Sequence, residues 1–125
     1  MSAISSELVI NRANTRRFIS LDPTDIVLIP RKEVWVNGTK KKTDLPPRDS
    51  QTFKIIWGGD TGIVTTIGGT TRRFDFVIVG DVDASLEIGD HWFIGDQDNE
   101  VQYIFPSNGY EIKGGGVSHG SKPVG

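Results

Sequence analysis

The sequence predicts an all-β fold: a small β-barrel with a short N-terminal helix and a long loop between its second and third strands. Three observations carry this expectation. The 125 residues include 15 Gly and 6 Pro, a density that suits many short segments joined by turns better than a few long helices. Runs of β-branched and aromatic residues recur at short intervals between Gly-rich or Asp-rich turns, as in small barrels and sandwiches. Cysteine is absent, so neither a disulfide framework nor a thiolate metal site shapes the fold.

The elements follow in order. Residues 7 to 20 contain no Pro or Gly and place Leu8, Val9, Ala13, Phe18 and Ile19 at partly helical spacing, which predicts a short helix over Ala13 to Ser20, ended by Pro23. Strands are expected at Thr24 to Ile29 and Val34 to Val36, with Asn37-Gly38 as a turn signal. Gly38 to Gln51, with Leu45 as its sole sizeable apolar residue and a Pro46-Pro47 pair, reads as a long, exposed, basic loop. Phe53, Ile55 and Trp57 then alternate with Thr52, Lys54 and Ile56, as in a half-buried strand. Further strands are expected at Ile63 to Ile67, Arg72 to Val79, Leu86 to Ile88, His91 to Ile94, Glu100 to Phe105 and Tyr110 to Lys113. The whole chain reads as one domain, 1–125, with 1–12 and 114–125 as tails that are flexible or ordered only on assembly.

Charge is unevenly placed along the chain. Residues 1 to 73 carry 12 basic and 7 acidic groups, whereas residues 74 to 125 carry 2 and 9, giving net charges of +5 and -7. Either the fold presents faces of opposite sign, suited to stacked contacts with partners, or folding intermixes the two sets. No run approaches the roughly 20 apolar residues that span a bilayer, and the N-terminal segment lacks the pattern of a signal peptide, so a soluble, unsecreted protein is expected.

No catalytic constellation emerges, and the chain reads as a non-enzyme with no cofactor and no metal. The candidate groups are Asp81 with Asp83, Asp90 with His91, Asp96 with Asp98 and Glu100, and His119. The Asp96 to Glu100 segment lacks the sixth-position Gly and distal Glu of a calcium loop, and two separated histidines without Cys do not make a zinc site. Gly68-Gly69-Thr70-Thr71 is not followed by the Gly-Lys-Ser/Thr of a phosphate loop and reads as a hairpin turn. A competing class is a sequence-independent single-strand nucleic-acid-binding barrel, stacking bases on Phe53, Trp57, Phe74, Phe76, Trp92, Phe93 and Tyr103. Against it, most of these alternate in strands where packing is the default, and many lie in the acidic half.

Several segments, in order, resemble the head-to-tail stopper, or head-closure, proteins of long-tailed phages, especially those infecting actinobacteria. They are Arg16-Arg17-Phe18-Ile19 with Leu21-Asp22-Pro23, Ile26-Val27-Leu28-Ile29-Pro30-Arg31, Pro46-Pro47-Arg48 leading into Gln51-Thr52-Phe53, Arg72-Arg73-Phe74-Asp75-Phe76-Val77-Ile78-Val79-Gly80, Ile88-Gly89-Asp90, Tyr103-Ile104 and Asn108-Gly109-Tyr110-Glu111. The likeness covers about residues 15 to 120. It implies a virion protein of the head-tail junction, present in the host cytoplasm before assembly and forming a ring of six or twelve copies. Its implied partners are the portal and head-to-tail adaptor, the tail terminator or tail tube, and packaged DNA bound non-specifically, with no membrane. Similar stoppers project the loop between their second and third strands into the channel, which would turn Lys40, Lys41, Lys42 and Arg48 toward DNA phosphates or an acidic partner surface; Asp44 and Asp49 dilute that charge. Arg16, Arg17, Arg72, Arg73, Asp81 and Asp83 are the expected assembly contacts. A tail terminator or other neck component shares the same size and β content.

Overall fold

The structure is a computed structural model that describes residues 5–120. It is mostly β, with one short N-terminal helix and a nearly closed, barrel-shaped sheet. Helix α1 (Ser6–Ser20) is followed by β1 (Thr24–Ile26), β2 (Arg31–Val36), β3 (Thr39–Asp44), β4 (Gln51–Trp57), β5 (Ile63–Ile67), β6 (Thr70–Phe74), β7 (Phe76–Asp81), β8 (His91–Ile94), β9 (Gln97–Ile104) and β10 (Glu111–His119). The main sheet runs β1-β4-β7-β10-β9-β8, every neighbouring pair antiparallel, while β2-β3 and β5-β6 form separate two-stranded sheets. Both small sheets are therefore hairpins inserted between strands that pair with each other in the barrel. The seam is closed just past β1, where Ile29 and His91 exchange backbone hydrogen bonds of 2.9 and 3.0 Å.

The core follows the period-two alternation of the strands. Ile26, Leu28, Phe53, Ile55, Phe76, Ile78, Leu86, Trp92 and Val101 pack together inside the barrel. Strand β7 is buried on both faces, and α1 packs over β7 and β4. The helix starts earlier than the sequence suggests. Its N-cap is Ser5, whose side chain accepts from the Leu8 amide at 3.1 Å and satisfies one of the free N–H groups of the first turn.

Four expectations need correction. The expected loop from Gly38 to Gln51 is half strand: Thr39 to Asp44 pair with β2, and only the residues between β3 and β4 are irregular. Asn37 and Gly38, at φ 51° and 77°, supply the two left-handed positions that a two-residue hairpin turn requires. Arg72 to Val79 is two strands broken at Asp75, and Leu86 to Ile88 is not a strand, although Leu86 is buried. The residues 114–119, expected to fray, complete β10; residues 1–4 and 121–125 of the expected tails lie outside the described residues.

The glycines of β10 have a packing reason. Gly115 lies against the Phe74 ring, where a Cβ would sit 2.8 Å from three ring carbons, and Gly114 faces Leu86 and Val101 at 3.1 and 3.2 Å. At Gly116 a Cβ would fall inside the contact distance of both the Phe76 ring and the Glu100 carbonyl oxygen. A bulge between Gly115 and Gly116 shifts the register against β9. Missing side chains thus admit aromatic rings on both faces of the sheet. Gly116→Ala is expected to destabilise the protein by about 1–3 kcal/mol or more through overpacking. Gly115→Ala should cost less, because a ring can shift where backbone cannot, and Gly114→Ala least. Denaturant unfolding of the three variants checks this order.

Candidate functional site

The β2–β3 hairpin is the element that stands apart from the barrel. All six residues of β3 are exposed, Trp35 is 72% exposed and Val36 40%, and only Arg31 and Val34 of β2 are half-buried. In its register Trp35 lies opposite Lys40, Glu33 opposite Lys42 and Arg31 opposite Asp44, so these six share one face. Val34 lies opposite Lys41 on the other face. Lys40 bonds Glu33 at 2.7 Å and holds its carboxyl below the usual glutamate range. Lys41 and Lys42 have no carboxylate within salt-bridge distance among the described residues.

The base of this arm is clamped to the barrel by a charged cluster. The Arg31 guanidinium donates to Asp44 Oδ1 at 3.0 Å, to Glu100 Oε2 at 3.1 Å and to Asp98 Oδ2 at 3.1 Å. His91, fully buried, has Asp98 Oδ1 2.8 Å from Nδ1 and Asp44 Oδ1 3.0 Å from Nε2. Arg31 Nη2 also lies 2.9 Å from Nδ1. A ring protonated on both nitrogens donates to Asp44 and Asp98 together; with one proton, on Nε2, it donates to Asp44 and can accept from Arg31 at Nδ1. Burial works against the Arg31 charge, but its bonds to Asp44 and Asp98 outweigh that and raise its pKa further. Asp44 is held below the usual aspartate range, mainly by Arg31 and secondarily by His91.

A second clamp ties down the connection between β3 and β4. Arg48 donates from Nε to Asp90 Oδ2 at 3.0 Å and from Nη2 to Asp90 Oδ1 at 3.2 Å, and also reaches Glu87 at 3.2 Å. The Asp90 side chain is 1% exposed. The Arg48 pKa is raised, chiefly by the bond to Asp90. Backbone bonds Leu45 N to Pro30 O and Arg48 N to Leu28 O, both 2.8 Å, lay the same segment along the barrel wall. Arg48 is therefore anchored to the barrel through Asp90 and Glu87, apart from the exposed lysines with which the sequence groups it.

The other singled-out residues separate. Arg16 bonds Asp81 of its own chain at 3.0 Å, Arg73 donates to the Asp60 carbonyl at 2.6 Å, and Arg72 lies over the Phe74 and Tyr103 rings at 5.4 and 5.2 Å. Arg17 and Asp83 are exposed and make no side-chain hydrogen bond or ion pair among the described residues. Asp90 and His91 serve different clamps, and His119 Nε2 stands 3.9 Å from Glu100. Among the described residues no group of three or more His, Cys, Asp and Glu is placed to hold a metal ion. Of the aromatics considered for base stacking, Phe53, Phe74, Phe76 and Trp92 are buried, whereas Trp57 and Phe93 are about half exposed, at 47% and 53%. Trp35, which strand alternation did not single out, is the most exposed large aromatic side chain.

Two outcomes test the clamps. Arg48→Ala should destabilise the protein by about 3–5 kcal/mol, because it strands a buried carboxylate, whereas replacing Lys40, Lys41 and Lys42 by Ser should leave unfolding within about 0.5 kcal/mol of wild type. Chemical denaturation of both proteins measures the contrast. Asp44 ionises more readily in the folded chain than in the unfolded one, so its contribution is complete above the ordinary aspartate value of about 3.9 and is lost as pH falls through its lower folded value. Asp44→Asn should accordingly be less stable at neutral pH and lose less stability than wild type between pH 4 and lower pH, read from melting temperatures across that range.

Comparison of the chain with family models, with curated proteins and with solved structures finds no match.

Proposed function

We propose that the chain is a structural subunit of a phage neck, a head-closure or stopper protein that assembles as a ring of six or twelve copies between the portal–adaptor complex and the tail. The observation that carries this reading is the β2–β3 hairpin: a basic arm on a small closed barrel, at the chain position where the stoppers it resembles project an element into the channel. Repetition around a ring turns a modest charge per subunit into a dense collar of positive potential. Lys41 and Lys42 have no carboxylate partner among the described residues, Lys40 is paired with Glu33, and Arg48 is engaged with Asp90. Arg17 and Asp83, exposed and without side-chain partners, are the strongest of the proposed assembly contacts; Arg16 and Asp81 are paired within the subunit.

A second reading, a sequence-independent single-strand nucleic-acid-binding barrel, has one favouring observation: Trp35 is exposed directly across the hairpin from Lys40. An exposed indole beside cations can stack a base.

Lys40, Lys41 and Lys42 replaced together by Ser keep the arm's length and polarity. In filled heads carrying this variant, DNA leakage should increase at low salt and converge with wild type at high salt, since phosphate contacts weaken as counterions compete. Negative-stain imaging of the neck locates the protein in the same particles. Unchanged retention at every salt with failed tail attachment would move the arm to the tail-docking surface, and absence of the protein from the head-tail junction would overturn the neck reading.

A further inference from the structure

Between the hairpin and the barrel wall lies an open cleft of about 360 Å³ lined by Arg31, Lys32 and Lys42 of the arm, Arg72 of β6, Ile88, and Gln102 of β9, among others. Its carboxylates are already matched: Glu33 bonds Lys40 at 2.7 Å and Glu100 bonds Arg31 at 3.1 Å. Lys32, Lys42 and Arg72 line it without a carboxylate inside 4.0 Å among the described residues. Arg72 is held unusually. Its guanidinium carbon stands 5.4 and 5.2 Å from the Phe74 and Tyr103 ring centroids, and its N–H donors make no hydrogen bond among the described residues.

We propose that this cleft seats the phosphate backbone of DNA, with Arg72 as the forked donor and Lys42 and Lys32 as flanking charges. The set of cations selects this ligand. Lys42 and Lys40 stand on one face of β3, about 7 Å apart by strand geometry, leading from the cleft toward the tip where Trp35 lies opposite Lys40. Three cations without a carboxylate partner among the described residues, Lys32, Lys42 and Arg72, set in one cleft beneath an arm that carries an exposed indole, match a run of successive phosphates better than the single carboxylate of an acidic side chain; Lys40, farther along the strand, is paired with Glu33. Arg73, next in sequence, is turned to the opposite face and bound to the Asp60 carbonyl, so it takes no part. The inference deepens the DNA-facing part of the proposed function, but concerns the single subunit, so it can fail while ring assembly stands.

The test uses the purified full-length subunit and fluorescence anisotropy with a labelled duplex and a labelled single strand across a salt series. Arg72→Gln and Lys42→Ser should each weaken binding at low salt and reduce the slope of log affinity against log salt by about one. Arg73→Gln should leave both as in wild type. Tighter duplex binding assigns the seat to backbone contacts alone, and tighter single-strand binding, lost in Trp35→Ala, adds base stacking; either supports the seat. If Arg72→Gln does not fold, Lys42→Ser carries the binding test, and NMR of wild type reads the Arg72 Nε resonance on adding oligonucleotide. Slopes unchanged in Lys42→Ser with no shift at Arg72, or binding by an acidic peptide in place of DNA, would overturn the proposal. Imaging the same variants in assembled necks separates this result from the fate of the ring.

Discussion

Everything outside the apolar core depends on how the barrel seam is held at His91. The backbone bridge to Ile29 joins the two edges of the sheet there, and two residues later Arg31 extends its guanidinium into Asp44, Asp98 and Glu100. One arginine thus links the root of the hairpin to β9 and, through its contact with His91, to β8. The arrangement is costly to desolvate, a cost offset by the carboxylate oxygens that accept from Nε, Nη1 and Nη2. A cluster of this kind adds little net stability compared with an apolar seam, but it admits one geometry. A charged fork with three fixed acceptors sets the direction in which the hairpin leaves the barrel, which greasy contacts would leave less defined.

The uneven charge along the chain acquires its meaning in this light. The ion pairs Arg31 with Asp98 and Glu100, Arg48 with Asp90 and Glu87, and Arg16 with Asp81 all join the basic half to the acidic half. Folding intermixes the charges, as one of the two alternatives had it. Among the described residues, Lys41 and Lys42 on the arm and Lys32 and Arg72 at its root are without a carboxylate partner, as is Arg17 on the helix.

Much of the barrel was legible in the sequence. Strand β5 and the strand containing Phe53 and Ile55 follow from alternation, and Asn37-Gly38 marks its turn correctly. The strand segments that were missed share a cause: each lacks the apolar periodicity that signals burial. Thr39 to Asp44 form a strand with neither face buried, held by backbone pairing to β2, and their lysines gave no alternation to detect, although Asn-Gly after Val34-Trp35-Val36 is itself a hairpin signal. Gly114 to Gly116 form a buried strand in which the apolar bulk belongs to Phe74 and Phe76 on other strands. Arg48 is a charge that points inward because Asp90, distant in sequence, is buried beneath it. The clamp around His91 was equally out of reach, since Arg31 and Asp44 come together only once β3 exists.

Hairpin insertion explains how so exposed an arm coexists with so small a core. Strands β1 and β4 pair directly with each other, Thr24 with Phe53 through Ile26 with Gln51, and the chain between them leaves and rejoins the wall at bonds between Pro30 and Leu45 and between Leu28 and Arg48. The excursion is closed by its own backbone bonds before the barrel resumes. Its sequence can therefore answer to charge and contact rather than to packing, and Lys40, Lys41, Lys42 and Trp35 occupy positions that a barrel strand could not give them. The β5–β6 hairpin, inserted in the same way between β4 and β7, has a two-glycine turn and an exposed Val64 but no comparable run of cations. The same topological device is used twice: the arm anchored by Arg31 and Arg48 carries the run of lysines, and the second hairpin contributes Arg72 to the cleft beneath it. That asymmetry separates the candidate site from a generic surface loop.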